Sequence, residues 1–188
     1  VTTMNPAAAM PEEDFIYIDL SAIDQDTKAI VGARAVLGAE APSRARQVVQ
    51  EGDVLVSTVR PNLNGVARVT ADLDGAVAST GFCVLRPDDT RLDGGYLYHW
   101  VRTSGFVERM VRQATGASYP AVNDRIVCDD VLPLPSLTEQ RRIATILDEA
   151  DALRAKRREA LAKLDELAKA TFLDLFGPAE AWSERWPM

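Results

Sequence analysis

The chain has 188 residues, 47% hydrophobic and 26% charged, which suits one core-forming domain with an appendage and excludes a disordered or fibrous protein. The net charge of −7 is spread unevenly, with 12 basic and 18 acidic residues before Ser136 and 9 and 10 from Ser136 onward; a surface for nucleic acid would have to be a local basic patch on an acidic body. No apolar run approaches the ~20 residues of a membrane helix and no secretory signal is recognisable, while Cys83 and Cys128 lack metal-ligand spacing and are expected as buried free thiols in a reducing cytoplasm.

Residues 1–14, rich in Ala, Pro and Met, read as an irregular lead-in. Phe15-Ile-Tyr-Ile-Asp-Leu20 has the short apolar run of a strand. Ser21 to Gln47 mixes turn residues with three arginines and reads as loop with a strand or short helix. Glu51-Gly-Asp53 is a turn, and Val54 to Val59 is a strand broken by Arg60-Pro-Asn-Leu-Asn-Gly65. Val66–Val69, Ala76–Ser79 and Phe82–Leu85 continue as short strands. Tyr96–Val101 and Gly105–Arg112 carry apolar residues at three- and four-residue spacing, which predicts two short helices. Ala114 to Asp124 is a polar loop, and Ile126–Cys128 with Val131-Leu132 predict one last strand.

Beyond Pro133 and Pro135 the pattern predicts a single helix of about forty residues. Ser136 and Glu139 have capping-box spacing, and Gly177-Pro178 is a stop signal. Ile143, Ala150, Arg157, Leu164 and Thr171 recur every seven residues; so do Ile146, Leu153, Ala160 and Leu167, and beside them Leu147, Leu161, Ala168 and Leu175. That is the spacing of a coiled-coil seam. At 1.5 Å per residue the rod is about 60 Å long, more than a domain of this size can cover. The expected seam is Ile143, Ile146, Leu147, Ala150, Leu153, Leu161, Leu164, Leu167 and Leu175. The fold class is therefore α+β, a mixed domain over 1–135, a long helix over 136–177, and a tail over 178–188.

No catalytic constellation is visible. His99 is the single histidine, in an apolar helical stretch that makes it a packed residue, so no nucleophile–base pair and no zinc site can be built on it. Asp148, Glu149 and Asp151 alternate with basic residues as a solvated helix flank does. What remains are polar loops: Ser43-Arg-Ala-Arg46, Arg60-Pro-Asn-Leu-Asn64, Ser79-Thr-Gly81 and Ser118-Tyr-Pro-Ala-Val-Asn-Asp-Arg125. Arg can fork onto guanine, Asn can pair with adenine, and Ser or Thr can bond phosphate or base.

Phe15-Ile-Tyr-Ile-Asp-Leu-Ser-Ala-Ile-Asp24, Gly52-Asp-Val-Leu-Val-Ser-Thr-Val-Arg-Pro61, Ser79-Thr-Gly-Phe-Cys-Val-Leu-Arg-Pro87, Gly116-Ala-Ser-Tyr-Pro-Ala-Val-Asn123 and Pro133 to Gly177 lie in this order along the chain. Together they resemble the target recognition domain and conserved spacer helix of type I restriction–modification specificity subunits. The resemblance implies a non-catalytic cytoplasmic protein in which the domain reads one half of a bipartite double-stranded DNA target. The helix would dock methyltransferase subunits and, beyond them, the restriction subunit. It implies no cofactor here: S-adenosylmethionine would sit on the methyltransferase subunit, ATP and magnesium on the nuclease subunit. The expected DNA-facing set is Arg44, Arg46, Arg60, Asn62, Asn64, Ser79, Thr80, Ser118, Tyr119 and Asn123. Family members carry two recognition domains and two long helices, against one of each here, and Trp186-Pro-Met188 resembles the opening of a following domain. The expectation is a half subunit or a piece, two copies of which rebuild the whole as a homodimer. The acidic balance supports an alternative, a protein–protein adaptor with a dimerising coiled coil and no nucleic acid.

Overall fold

Val54, Leu55 and Val56 are all buried although successive strand side chains point to opposite faces, so their strand is covered on both sides. This layering organises the fold. The structure, a computed structural model, describes residues 1–178; the tail expected over 178–188, Pro178 apart, and Trp186-Pro-Met188 lie outside the described residues. In chain order the elements are β1 (Thr2–Thr3), α1 (Pro6–Ala9), β2 (Asp14–Ile18), β3 (Ile23–Asp24), β4 (Ala29–Ile30), β5 (Arg34–Leu37), β6 (Ala45–Val48), β7 (Val54–Ser57), β8 (Val66–Arg68), β9 (Val77–Ser79), β10 (Phe82–Leu85), α2 (Gly94–Trp100), α3 (Ser104–Gln113), α4 (Asp124–Cys128) and α5 (Leu137–Phe176).

The strands form a five-stranded sheet in the order β1-β6-β9-β2-β5, a three-stranded sheet β10-β7-β8 and the small ladder β3-β4. Only β2 and β9 pair in parallel. Leu55, Ala67, Phe82 and Val84 of the three-stranded sheet meet Ile18 and Ala78 of the larger one. Val54, Val56, Val66 and Cys83, on the opposite face, pack against Leu97, Val101, Phe106, Met110 and Val127 of α2, α3 and α4. The central sheet is thus apolar on both faces, which is why its strands read as unbroken hydrophobic runs.

The expected mixed α+β domain and long C-terminal helix are both present. Several expectations need correction. The lead-in is not irregular: Thr2 and Thr3 pair with β6, and Pro6 opens α1. Ser21 to Gln47 holds β3, β4 and β5 and runs into β6. The predicted strand at Ile126–Cys128 is the helix α4, because Asn123 accepts the Ile126 amide at 3.0 Å and caps it; Val131-Leu132 joins no sheet. Cys128 is exposed, not buried, although Cys83 is buried and both thiols are free. His99 is packed as expected, at 9% exposure.

One compact unit covers Val1–Thr145 and a second begins at Ile146. The first two turns of α5 therefore belong to the first unit. Gln140 is fully buried there: its Oε1 accepts the Asp93 amide at 2.9 Å, and its Nε2 donates to the carbonyls of Arg91 at 3.0 Å and Pro135 at 2.9 Å. Ala144 is buried too, and a side chain on Gly95 would meet its Cβ at 3.1 Å. Ser136 Oγ accepts the Glu139 amide at 3.3 Å, but the Glu139 carboxylate pairs forward with Arg142 at 3.0 Å and does not close the box. At the far end Gly177 takes φ 72° and its amide bonds the Leu173 carbonyl at 2.8 Å, a left-handed stop. In the second unit Leu153, Leu161, Leu164, Leu167 and Leu175 are all exposed.

Candidate nucleic-acid interface

The end of β7 is tied down and then turned outward. Thr58 donates both its amide, at 2.9 Å, and its hydroxyl, at 2.8 Å, to the Gly81 carbonyl. Two residues on, the Arg60 amide bonds the Pro120 carbonyl at 2.7 Å. Arg60 then adopts φ 51°, ψ 60°, a left-handed conformation that costs a side-chain-bearing residue about 1 kcal/mol. Pro61–Leu63 form a single 3-10 turn, closed by Asn64 at φ 47°.

The facing loop is just as constrained. Thr115 and Ala121 exchange amide–carbonyl bonds at 2.9 and 2.8 Å, and the Val122 amide bonds the Thr58 carbonyl at 2.9 Å. Gly116 lies at φ 102°, where a Cβ would sit 3.0 Å from the Tyr119 carbonyl, so the turn requires glycine. These ties present Tyr119 with 68% of its surface exposed and the Arg60 guanidinium carbon 4.5 Å from its ring centroid. Beside the pair is a cleft of about 220 Å³ lined by Leu20, Ser21, Gln25, Ser57, Arg60 and Tyr119.

Of the expected DNA-facing residues, Arg60, Asn62, Ser118 and Tyr119 are exposed on these two loops. Arg44 and Thr80 are exposed on adjoining turns, joined by the Thr80 amide to the Arg44 carbonyl at 2.8 Å. Arg46 is half-buried and Nη1 donates to the Ala45 carbonyl at 2.7 Å. The Thr80 turn continues into Gly81, which holds Thr58, so both groups share one stretch of backbone. Three residues have other work. Ser79 is buried, its hydroxyl accepting the Gly81 amide at 3.2 Å; Asn123 caps α4; Asn64 donates to the Arg102 carbonyl at 3.4 Å.

Sequence reasoning passed over a second basic cluster. The Lys28 amine donates to the Asn64 carbonyl at 2.6 Å, and its pKa is pulled below the usual lysine value by burial and then by Arg102. Arg102 and Arg68 lie 4.6 and 5.7 Å from the Tyr98 ring. These residues come from widely separated segments and share no motif, so only the fold assembles them. Cys83 and Cys128 face each other with their sulfurs 4.0 Å apart, and burial pushes the Cys83 thiol up. Among the described residues no cluster of His, Cys, Asp and Glu could hold a metal ion, and no helix is long and apolar enough to cross a membrane.

Residues 40–163, more than half of the chain, match the type I restriction modification DNA specificity domain. The chain belongs to this family. It is 25% identical over 137 residues to the type I restriction enzyme HindI specificity subunit of Haemophilus influenzae, covering 72% of this chain and 30% of the relative. It is 24% identical over 138 residues to the EcoDI specificity subunit of Escherichia coli, covering 70% and 29%. The crystal structure of the HsdS subunit from Thermoanaerobacter tengcongensis superposes with a TM-score of 0.73 at 37% identity, over 95% of this chain and 46% of that one. A chain solved for the assembly and conformational transition of the type I R-M system superposes with a TM-score of 0.75, again at 37% identity and 46% of its length. The chain thus spans less than half the length of the specificity subunits it matches.

Proposed function

We propose that the domain reads one half of a split double-stranded DNA sequence and that α5 sets the distance to the other half. The carrying observation is the pair of cross-tied loops that holds exposed Arg60, Asn62, Ser118 and Tyr119 together beside the Arg44–Thr80 turn. Base edges are read by side chains carried on well-positioned backbone, and these ties supply that positioning for the two loops. The 40 residues of α5 span about 60 Å, or roughly 18 base pairs at 3.4 Å each. In this reading the helix also docks methyltransferase subunits, and through them the restriction subunit. The chain performs no chemistry of its own: methyl donor, ATP and magnesium belong to those partners in the cytoplasm. Its exposed leucines pair with a second copy.

Equilibrium binding to mixed-sequence duplexes, with the methyltransferase subunit present, tests the proposal. Affinity should fall steeply between about 50 and 200 mM salt and differ between sequences. An absence of binding at low salt would leave the adaptor reading in its place.

A further inference from the structure

Resting on that reading, we infer that Arg60 is a base-reading residue whose target is guanine, and that Tyr119 is the platform that aims it. Its backbone is fixed on both sides: the amide bonds Pro120, the carbonyl accepts the Leu63 amide at 2.9 Å, and Pro61 follows directly. Glycine would occupy φ 51° without strain. An arginine kept at that dihedral accepts a strain that glycine would avoid.

The side chain has a partner as well. The Arg60 guanidinium carbon lies 4.5 Å from the Tyr119 ring centroid, a cation–π contact that spends none of its N–H donors on a hydrogen bond. Among the described residues nothing engages those donors by hydrogen bond or ion pair. Arg86, Arg109 and Arg125 differ in this, each being paired with an aspartate. A rigid planar fork with both donors unspent matches the O6 and N7 acceptors that guanine presents in the major groove. Adenine offers a donor in place of O6, so the same fork rejects it. Phosphate makes no comparable demand for fixed orientation, and Arg44, exposed and without a stacking partner among the described residues, is suited to it. The cleft beside Arg60 leaves room for a base edge to approach.

The test selects binding sites for the full chain, with its methyltransferase subunit, from random duplex DNA. Wild-type protein should select a site with an invariant guanine. Arg60→Ala should lose preference at that position by about 10- to 100-fold while keeping the rest of the site. Arg60→Lys should restore the preference only in part, because an ammonium can reach O6 and N7 but lacks the planar fork that lies against Tyr119. Tyr119→Leu should weaken the same single preference and Tyr119→Phe preserve it. A probe that leaves the protein intact replaces the guanine by 7-deazaguanine, which lacks N7: wild-type affinity should drop about 10-fold and that of Arg60→Ala not at all. An unchanged selected site in Arg60→Ala, or a loss uniform over all sequences with a shallower salt slope, overturns the inference while the DNA-reading proposal stands. Selection of no sequence by the wild type overturns both.

Discussion

Asp53 is only 1% exposed, and its charge is answered from three sides. Arg86 forks onto it at 2.8 and 2.7 Å, and the Gln50 amide donates to it at 2.8 Å. Removing one partner of such a pair leaves the others without an acceptor. Asp53→Ala should therefore cost about 3 kcal/mol in urea unfolding. Asp130 makes a parallel case with a pH signature. Arg109 forks onto it at 2.6 and 2.7 Å, and this contact holds its pKa below the usual aspartate value. A depressed folded pKa means that the pair stabilises the fold above about pH 4 and is lost as pH falls through the folded value. Melting temperature should thus decline below about pH 4 in the wild type and decline less in Arg109→Leu, whose stability lacks the pair from the start. A slope unaltered by the substitution would refute the assignment. At this scale residue type was a partial guide. The exposed turns that carry Arg60 and Tyr119 were legible, because proline and glycine stand beside them in the sequence. The intramolecular bonds of Ser79, Asn64 and Asn123 were not, because short polar side chains close turns and cap helices without any distinguishing sequence pattern.

Among elements, legibility followed burial. β7 and β10 stood out because covering a sheet on both faces forces an unbroken apolar run. The edge strands of the larger sheet, β1 and β5, carry largely exposed residues and leave no such trace. α4 was misread because five residues are too few to separate a period of 3.6 from one of 2. The start of α5 was legible as a cap, yet its anchor was hidden: nothing in Leu-Thr-Glu-Gln140 distinguishes a fully buried glutamine from a solvated one. Gln140 alone satisfies the Asp93 amide and two carbonyls of the first unit. Gln140→Ala should cost about 3 kcal/mol, since three backbone groups lose their partner. Hydrogen exchange should then quicken over the first two turns of α5 ahead of the core strands. Equal protection in both proteins would mean that Ala144 and its neighbours hold the helix without it.

In the second unit Leu153 is 66% exposed, and the proposed pairing with a second copy would cover it and its neighbours. The charges beside them favour one arrangement of two copies. Asp148, Glu149 and Asp151 form an acidic block, and Arg154, Lys156, Arg157 and Arg158 a basic one, with Leu153 between. Two parallel helices in register would set like charges side by side. Two antiparallel helices crossing near Leu153 set each basic block against the partner's acidic block, and opposite charges across such a seam govern orientation. Changing Leu153 and Leu164 together to Asp should halve the mass seen by light scattering and leave the unfolding of the first unit unchanged. Arg157→Glu with Arg158→Glu should weaken association about 10-fold at low salt and much less at 1 M, where such pairs are screened. Adding Asp148→Lys and Glu149→Lys on the same chain should restore it, because an antiparallel pair then regains its opposite charges with the blocks exchanged. Failure of that restoration, with the leucine variant still dissociating, would keep the seam and discard the antiparallel orientation.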